Sequence, residues 1–282
     1  MIAQLQQGGF EVQQLCEVLD VSRAAYYQWC SAAESPRACA DRALAPLVRR
    51  VFQQHRRRYG ARRIAIELQS LGHSCSRAKA RKLLDQMQLV AIQPKSFKPR
   101  TTESRHRLGY SPNLLLEGVE VTACNQVWVG DITSIGLTRQ VAYLAMLMDL
   151  HSRRIVGWSL ELDMTESLVL AALQQAIKAR QPRPQWIHHT NRGGQYAATH
   201  YRAVLARAQT RQSMSRAGDC YDNAFMESCF GTIKTELELS NYATFEIAQR
   251  EIQEYVNYYN TIRRHSSLDY QSPTSFERNL QN

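Results

Sequence analysis

The chain has 282 residues, 44% of them apolar, which suits two or three domains with a real core and excludes a disordered tail. Its seven cysteines form no Cys-x-x-Cys pair, so neither a disulfide framework nor a structural zinc site is expected, and the thiols read as reduced in a cytoplasmic protein. The net charge of +10 is concentrated at the front: residues 1–120 carry 19 Lys and Arg against 10 Asp and Glu, a net of +9, whereas residues 121–282 carry 16 against 15, a net of +1.

The first segment, residues 10–30, places Val12, Leu15, Cys16 and Leu19 at helical spacing. A turn at Asp20–Val21 follows, and Ser22 is placed to cap a second helix through Trp29. A second helix-turn-helix outline has Ile64, Leu68 and Leu71 on one stripe, a stop at Gly72, and a helix capped by Ser76 that carries Leu83, Leu84 and Met87. Arg77, Lys79, Arg81 and Lys82 lie on the outer face of that last helix, with Arg62 and Arg63 on the helix before it. Either outline alone is equally well read as packed helices with a solvated charged face, because the pattern is degenerate. Two in tandem, both basic, point to DNA contact.

Residues 92–113 lack hydrophobic periodicity and carry five Lys and Arg against one Glu, an extended basic linker in which Lys95, Lys98 and Arg100 could follow a phosphate backbone. Beyond it the pattern changes to strands at 126–135, 141–150 and 154–162. A helix is predicted from about Thr165 to Arg180, a strand at 184–190, a helix from about Ala198 to Ala208 and a short strand near Gln212–Met214. After a polar stretch come a helix ending at Glu236 and another from about Thr244 to Tyr259. Three meandering strands followed by alternating helix and strand describe an α/β layer fold with a sheet covered on both faces. The longest apolar run, Val141–Met148, is too short to cross a bilayer, and the N-terminal thirty residues or so show no secretory pattern.

Asp131 is a carboxylate inside an apolar strand, costly to bury unless it is paired or binds a metal. The strand at 184–190 runs into Asn191-Arg192-Gly193-Gly194-Gln195-Tyr196, and ligands gather beyond the carboxyl ends of strands in such sheets. If the two strands are neighbours, Asn191 arrives beside Asp131. His188 and His189 suggest zinc, but adjacent strand residues point to opposite faces and cannot easily share an ion. Asn223, Glu227, Gly231 and Lys234 share a polar helical face, which is a solvated face unless something approaches closely at Gly231.

Thirty-five residues separate Asn191 from Glu227, and 59 separate Asp131 from Asn191. The strings Trp-Val-Gly-Asp-Ile-Thr (128–133), His-His-Thr-Asn-Arg-Gly-Gly-Gln-Tyr (188–196), Asp-Asn-Ala-Phe-Met-Glu (222–227) and Tyr-Tyr-Asn-Thr-Ile-Arg-Arg-His (258–265) resemble those of bacterial insertion-sequence transposases. More narrowly they are similar to the insertion-sequence-three family, and the resemblance covers nearly the whole chain. It implies an RNase H-like, retroviral-integrase-like core behind small all-α helix-turn-helix modules. The boundaries it suggests are 1–40 and 41–91 for the modules, 92–120 for the basic linker, 121–240 for the core and 241–282 for a C-terminal helix and tail. It also implies an Asp-Asp-Glu triad holding two Mg²⁺ ions, with Mn²⁺ as a substitute. By position the triad falls on Asp131, Asn191 and Glu227, so the chain departs from the family at the middle acid. Lys234 would meet a phosphate, and Arg192, Gln195 and Tyr196 are loop contacts with less behind them. Further implications are double-stranded DNA as partner (terminal inverted repeats and target), a homo-oligomer on DNA, no membrane, and fusion to an upstream frame in the native product.

Two hard cations held by carboxylates suit phosphodiester cleavage and strand transfer, and no Ser/His/Asp set competes for the role. Asn at 191 keeps the shape of Asp but loses the charge, and its amide nitrogen cannot ligate a metal. Loss of one such group costs about 10²–10³ in rate, so impaired turnover with an intact fold is expected. An introduced Asp→Asn change, a decayed copy and a natural variant are all open as origins of the amide. Two other functions compete with the transposase: a sequence-specific DNA-binding protein without catalysis, and an RNase H-like nuclease without strand transfer.

Overall fold

The computed structural model describes residues 1–31, 35–93, 109–216, 220–238 and 242–280. Contacts divide the chain into two units, residues 1–56 with 60–90 and residues 57–59 with 91–282. Lys95, Lys98 and Arg100 lie outside the described residues.

The first unit is helical. Helices α1 (Ile2–Gln7), α2 (Val12–Val18) and α3 (Arg23–Ser31) bury Leu15, Cys16 and Tyr26. The turn before α3 bends at Asp20, with φ of 52°, and Ser22 Oγ accepts from Ala25 N at 3.1 Å, satisfying one of the donors that a helix start leaves open. Helix α4 (Pro36–Gln54) is missing from the sequence reading, although Leu44, Val48, Val51 and Phe52 form its buried stripe. It starts with Pro36 at a position where the absent N–H is no loss, and it tolerates Pro46 inside. Helix α5 (Ala61–Ser70) stops where Gly72 takes a φ of 84°, and α6 (Arg77–Gln86) starts at Ser76, whose hydroxyl accepts from Lys79 N at 3.1 Å.

The second unit is an α/β sandwich. Strands β1 (Val127–Gly136), β2 (Val141–Asp149) and β3 (Ile155–Glu161) form an antiparallel meander. Helix α7 (Glu166–Arg180) then crosses over, so that β4 (Ile187–Thr190) lies parallel to β1. The short α8 (Gly194–Ala197), which the sequence reading left in a loop, and α9 (Thr199–Arg207) lead to β5 (Arg211–Met214), parallel to β4. The sheet order is β3-β2-β1-β4-β5. Helix α7 packs close on β3 at Gly157, where a Cβ would stand 2.3 Å from Ala172 O.

Side-chain alternation along β1 sorts the two faces. Trp128 belongs to the cluster with Leu168, Leu173 and Tyr201 under α7 and α9. Val127, Val129 and Ile135 belong to the opposite cluster, with Met226, Phe230 and Ile233 of α10 (Ala224–Glu236) and Ile252 and Tyr255 of α11 (Phe245–Thr261). Asp131 has the parity of Val129 and therefore faces the layer that contains α10.

The tail is tied down by polar contacts. Asn260 pairs with Ile155 through both amide atoms at 2.9 Å. Arg263 Nη2 donates to Glu236 Oε1 at 2.7 Å, with both side chains buried. Helix α12 (Pro273–Asn279), also missing from the sequence reading, buries Glu277, which accepts from Arg154, Arg180 and Ser152. Removing one partner of a buried pair leaves the other charge desolvated and alone. Arg263→Gln is therefore expected to lower unfolding free energy by about 3–5 kcal/mol, read as a fall in the urea midpoint; an unchanged midpoint would show that the pair contributes nothing.

Candidate active site

Pairing of β1 with β4 ends at Gly130 opposite Thr190, so residues 131 and 191 leave the ladder side by side at the carboxyl ends of two parallel strands. Asn191 Nδ2 donates to Asp131 Oδ1 at 2.6 Å, and Asn191 Oδ1 accepts from Gly193 N at 2.8 Å. Asp131 Oδ1 also accepts from Ile132 N at 2.8 Å. Burial pushes the Asp131 carboxyl up to about 7; the Ile132 N–H acts against this, and the charge of Glu227 adds to it. Glu227 lies exposed in the first turn of α10, the end of the helix where a carboxylate is favoured.

A hard divalent cation would relieve both the burial of Asp131 and its repulsion from Glu227, so the donor chemistry suits one. The set is nevertheless short of an anionic ligand. No group of three or more His, Cys, Asp or Glu able to hold a metal occurs among the described residues.

The histidine pair is spent on structure. His188 contacts Trp128 O at 3.3 Å and the Tyr201 hydroxyl at 2.6 Å, and His189 contacts the hydroxyls of Ser213 at 2.8 Å and Ser215 at 3.2 Å. Burial lowers their imidazoles to about 3 and about 4, respectively. Both rings are therefore neutral brackets for β4, one on each face.

Residues 121–220 match the family described as integrase core domain, residues 208–273 a second integrase core domain family, and residues 39–97 an HTH-like domain. The chain is 38% identical to the 31 kDa protein of insertion element IS600 of Shigella sonnei, over 93% of this chain and 97% of that protein. It is 36% identical to the transposase InsF of insertion sequence IS3A of Escherichia coli, over 96% and 95% of the two chains. The transposase of insertion sequence IS904 of Lactococcus lactis is 39% identical over 83% and 93%. The chain belongs to the IS3 family of transposases. Among solved structures, the catalytic core domain of HTLV-2 integrase in complex with magnesium aligns with a TM-score of 0.44 at 15% identity, covering 54% of this chain and 96% of that one. The integrase-type core anticipated for this transposase is the one that the family match gives for residues 121–220.

Around the site of the transposase, the other anticipated residues separate into groups. Arg192 Nε donates to Ser215 O at 2.7 Å and its guanidinium lies over the Tyr110 ring, while Gln195 donates to Met164 O at 3.1 Å. Tyr196 is only 2% exposed and packs edge-on against Tyr201; its ring belongs to the core and does not serve as a loop contact. Lys234 is half-buried on α10, and burial lowers its amine. Among the described residues nothing comes within 4 Å of where a Cβ would stand at Gly231, so none of them makes the close approach expected there. In the first unit Arg62, Arg77 and Arg81 are exposed and Arg63 is half-buried. Lys79 and Lys82 instead clamp the buried Asp41 at 3.1 and 2.8 Å, and their hydrogen bonds lower its carboxyl.

Asn223 belongs to the polar helical face whose pattern leaves solvation and close approach both open; it is 5% exposed and donates Nδ2 to Gly130 O at 3.3 Å. Its spacing of four residues from Glu227 was the available signal. Ser213 and Ser215, which hold His189, carried none.

Two opposed pH effects follow for metal-free protein. Unfolded histidines bind protons near about 6.5, so the buried pair makes stability rise with pH between about 4 and 6.5. Asp131 has the opposite sign: its folded value of about 7 lies above the unfolded value, so stability is lost as pH rises through that window. Asp131→Asn is accordingly expected to gain stability over the parent on going from pH 4 to pH 8, measured by denaturant midpoints in chelator. A constant difference between the two proteins would contradict the raised carboxyl.

Proposed function

We propose that this DDE-type transposase binds the ends of its element through the helical modules and cleaves and joins DNA at Asp131, Asn191 and Glu227, with turnover held down by the amide at 191. The observation that carries this reading is the 2.6 Å bond from Asn191 Nδ2 to Asp131 Oδ1. It sets the second position of the triad against the first, and it aims a donor at an oxygen that a cation would otherwise use.

Asp131 and Glu227 would hold magnesium, with manganese as a substitute. Two such ions, when bound, activate the attacking oxygen and neutralise the leaving alkoxide. Asp131 stands at the strand end, and Glu227 sits on the helix of the layer that Asp131 faces. Asn191 Oδ1, its one ligating atom, already accepts from Gly193 N, which leaves one lone pair. A cation that takes Asp131 Oδ1 displaces the Asn191 Nδ2 hydrogen bond, a bond to a charged group worth about 1.5–3 kcal/mol. That weakens metal binding by roughly ten- to a hundredfold before the missing charge is counted. Arg62, Arg77 and Arg81 on the helical modules are the DNA-facing candidates, with Lys234 and Gln195 beside the site. The protein acts on double-stranded DNA at terminal repeats and target, as a homo-oligomer.

The same hydrogen bond favours a second reading, a DNA-binding protein that does not turn over. Asn191→Asp separates the two. It places carboxylates against each other, so in chelator the variant is expected to melt below the parent and to regain the difference with Mg²⁺, which should hardly move the parent. Mg²⁺-dependent cutting and joining of the element's ends by the Asp version alone, by at least about a hundredfold over the parent, would establish the triad. End binding with no cutting by either protein would leave the non-catalytic reading. Cutting without joining, and without preference for the ends, would mean a nuclease.

A further inference from the structure

Helix α10 carries Glu227, and polar contacts fasten it at both ends. At its C-terminal end the buried Glu236 accepts from Arg263 Nε at 2.9 Å and from the Tyr255 hydroxyl at 2.9 Å. Along its length Met226, Phe230 and Ile233 are buried against the sheet. At its N-terminal end Asn223, the residue just before the helix, donates Nδ2 to Gly130 O. Gly130 is the residue before Asp131, and Glu227 is one helical turn beyond Asn223. This bond therefore ties the turn bearing one carboxylate to the strand bearing the other.

Its chemistry distinguishes it from a packing contact. Gly130 O can only accept, so the amide must present its nitrogen there and turn its oxygen away. That oxygen, Asn223 Oδ1, is buried and has no hydrogen-bond partner among the described residues. An orphaned buried acceptor opposes folding by about as much as a neutral hydrogen bond favours it. The Asn223 bond itself, at 3.3 Å, lies just beyond the usual N–H···O range and is weak. Asn223 thus adds little to stability, and what it does control is where the first turn of α10 sits. With Arg263 and the apolar stripe in place, loss of Asn223 would loosen that turn and leave the helix docked.

We propose that Asn223 is a positioning residue that sets the separation of Glu227 from Asp131, and with it the pair of carboxylates offered to divalent cations. This rests on the catalytic reading of the site given above.

The test uses the full chain with Asn191→Asp as parent, adding Asn223→Ala or Asn223→Leu, the latter close to Asn in shape but without polar atoms. Mn²⁺ is the binding probe. Thermal midpoints are expected to stay within about 3 °C of the parent, with the Leu version level or higher. The Mn²⁺ dissociation constant, by calorimetry or electron paramagnetic resonance, is expected to rise about tenfold. Mg²⁺-dependent cleavage of the element's ends is expected to fall about a hundredfold, the loss that goes with a misplacement of about 1 Å. Unchanged Mn²⁺ affinity and cleavage in both variants would overturn the proposal. Losses that merely follow a falling thermal midpoint would overturn it too, since they describe a packing role. A parent that neither binds Mn²⁺ nor cuts removes the catalytic reading itself, and this proposal with it.

Discussion

Parallel pairing of β1 with β4 obliges the chain to cross the sheet through α7 before it can return, and the site is built where that pairing stops. Between Val127 and Gly130 the two strands share a ladder with Ile187 to Thr190. Beyond it residues 131 and 191 turn towards each other, so residues 60 positions apart in sequence come within hydrogen-bond distance. The buried imidazole of His188 ties β4 to β1 at Trp128 O, and that of His189 ties it to Ser213 and Ser215 on the β5 side. Glu227 then has only to arrive from the adjoining layer, because the alternation of β1 has already put Asp131 on that side.

An acidic site of this kind stores electrostatic tension. Burial and the neighbouring Glu227 both resist ionisation of Asp131. A metal would release the tension with positive charge; in this chain Asn191 releases part of it with an amide N–H. Asn191 therefore does not leave a hole at the second acid position. It makes a bond to Asp131 that would stand in for part of a cation's work.

The C-terminal motif, which resembles a family signature, turns out to act through packing. Asn260 mimics a strand partner for Ile155, and Arg263 neutralises Glu236 in the core. None of these groups faces the triad. They hold α11 and the far end of α10 in place, so a motif with the look of chemistry is the scaffold that lets Glu227 be presented on a fixed helix. The basic face of α6 gives a related lesson: two of its four cations are committed to Asp41 and are structural before they are anything else.

Much of the core was legible from local pattern. The strands of the meander, α7 and α9 follow apolar periodicity, and Ser22 and Ser76 mark helix starts because their hydroxyls serve backbone donors that open there. Helices α4 and α12 were not anticipated, although each opens on a proline at a position where the missing N–H is no loss. The spacing of Asp131, position 191 and Glu227 was visible in one dimension, as was the loss of charge at 191. Which atoms Asn191 would use was not visible, since an amide offers a donor and an acceptor and only the neighbours choose between them. Tyr196 looked like a loop contact, and Asn223 was left open between solvation and close approach, for the same reason: burial is a property of what packs against a residue, and those partners come from distant parts of the chain. The sequence by itself determined the layer fold, the spacing of Asp131, Asn191 and Glu227 and the amide at 191, because periodicity, spacing and residue type are local quantities. Tertiary structure alone decided the Asn191–Asp131 bond, the raised Asp131 carboxyl and the anchoring of α10, because each depends on groups that only the folded sheet brings together.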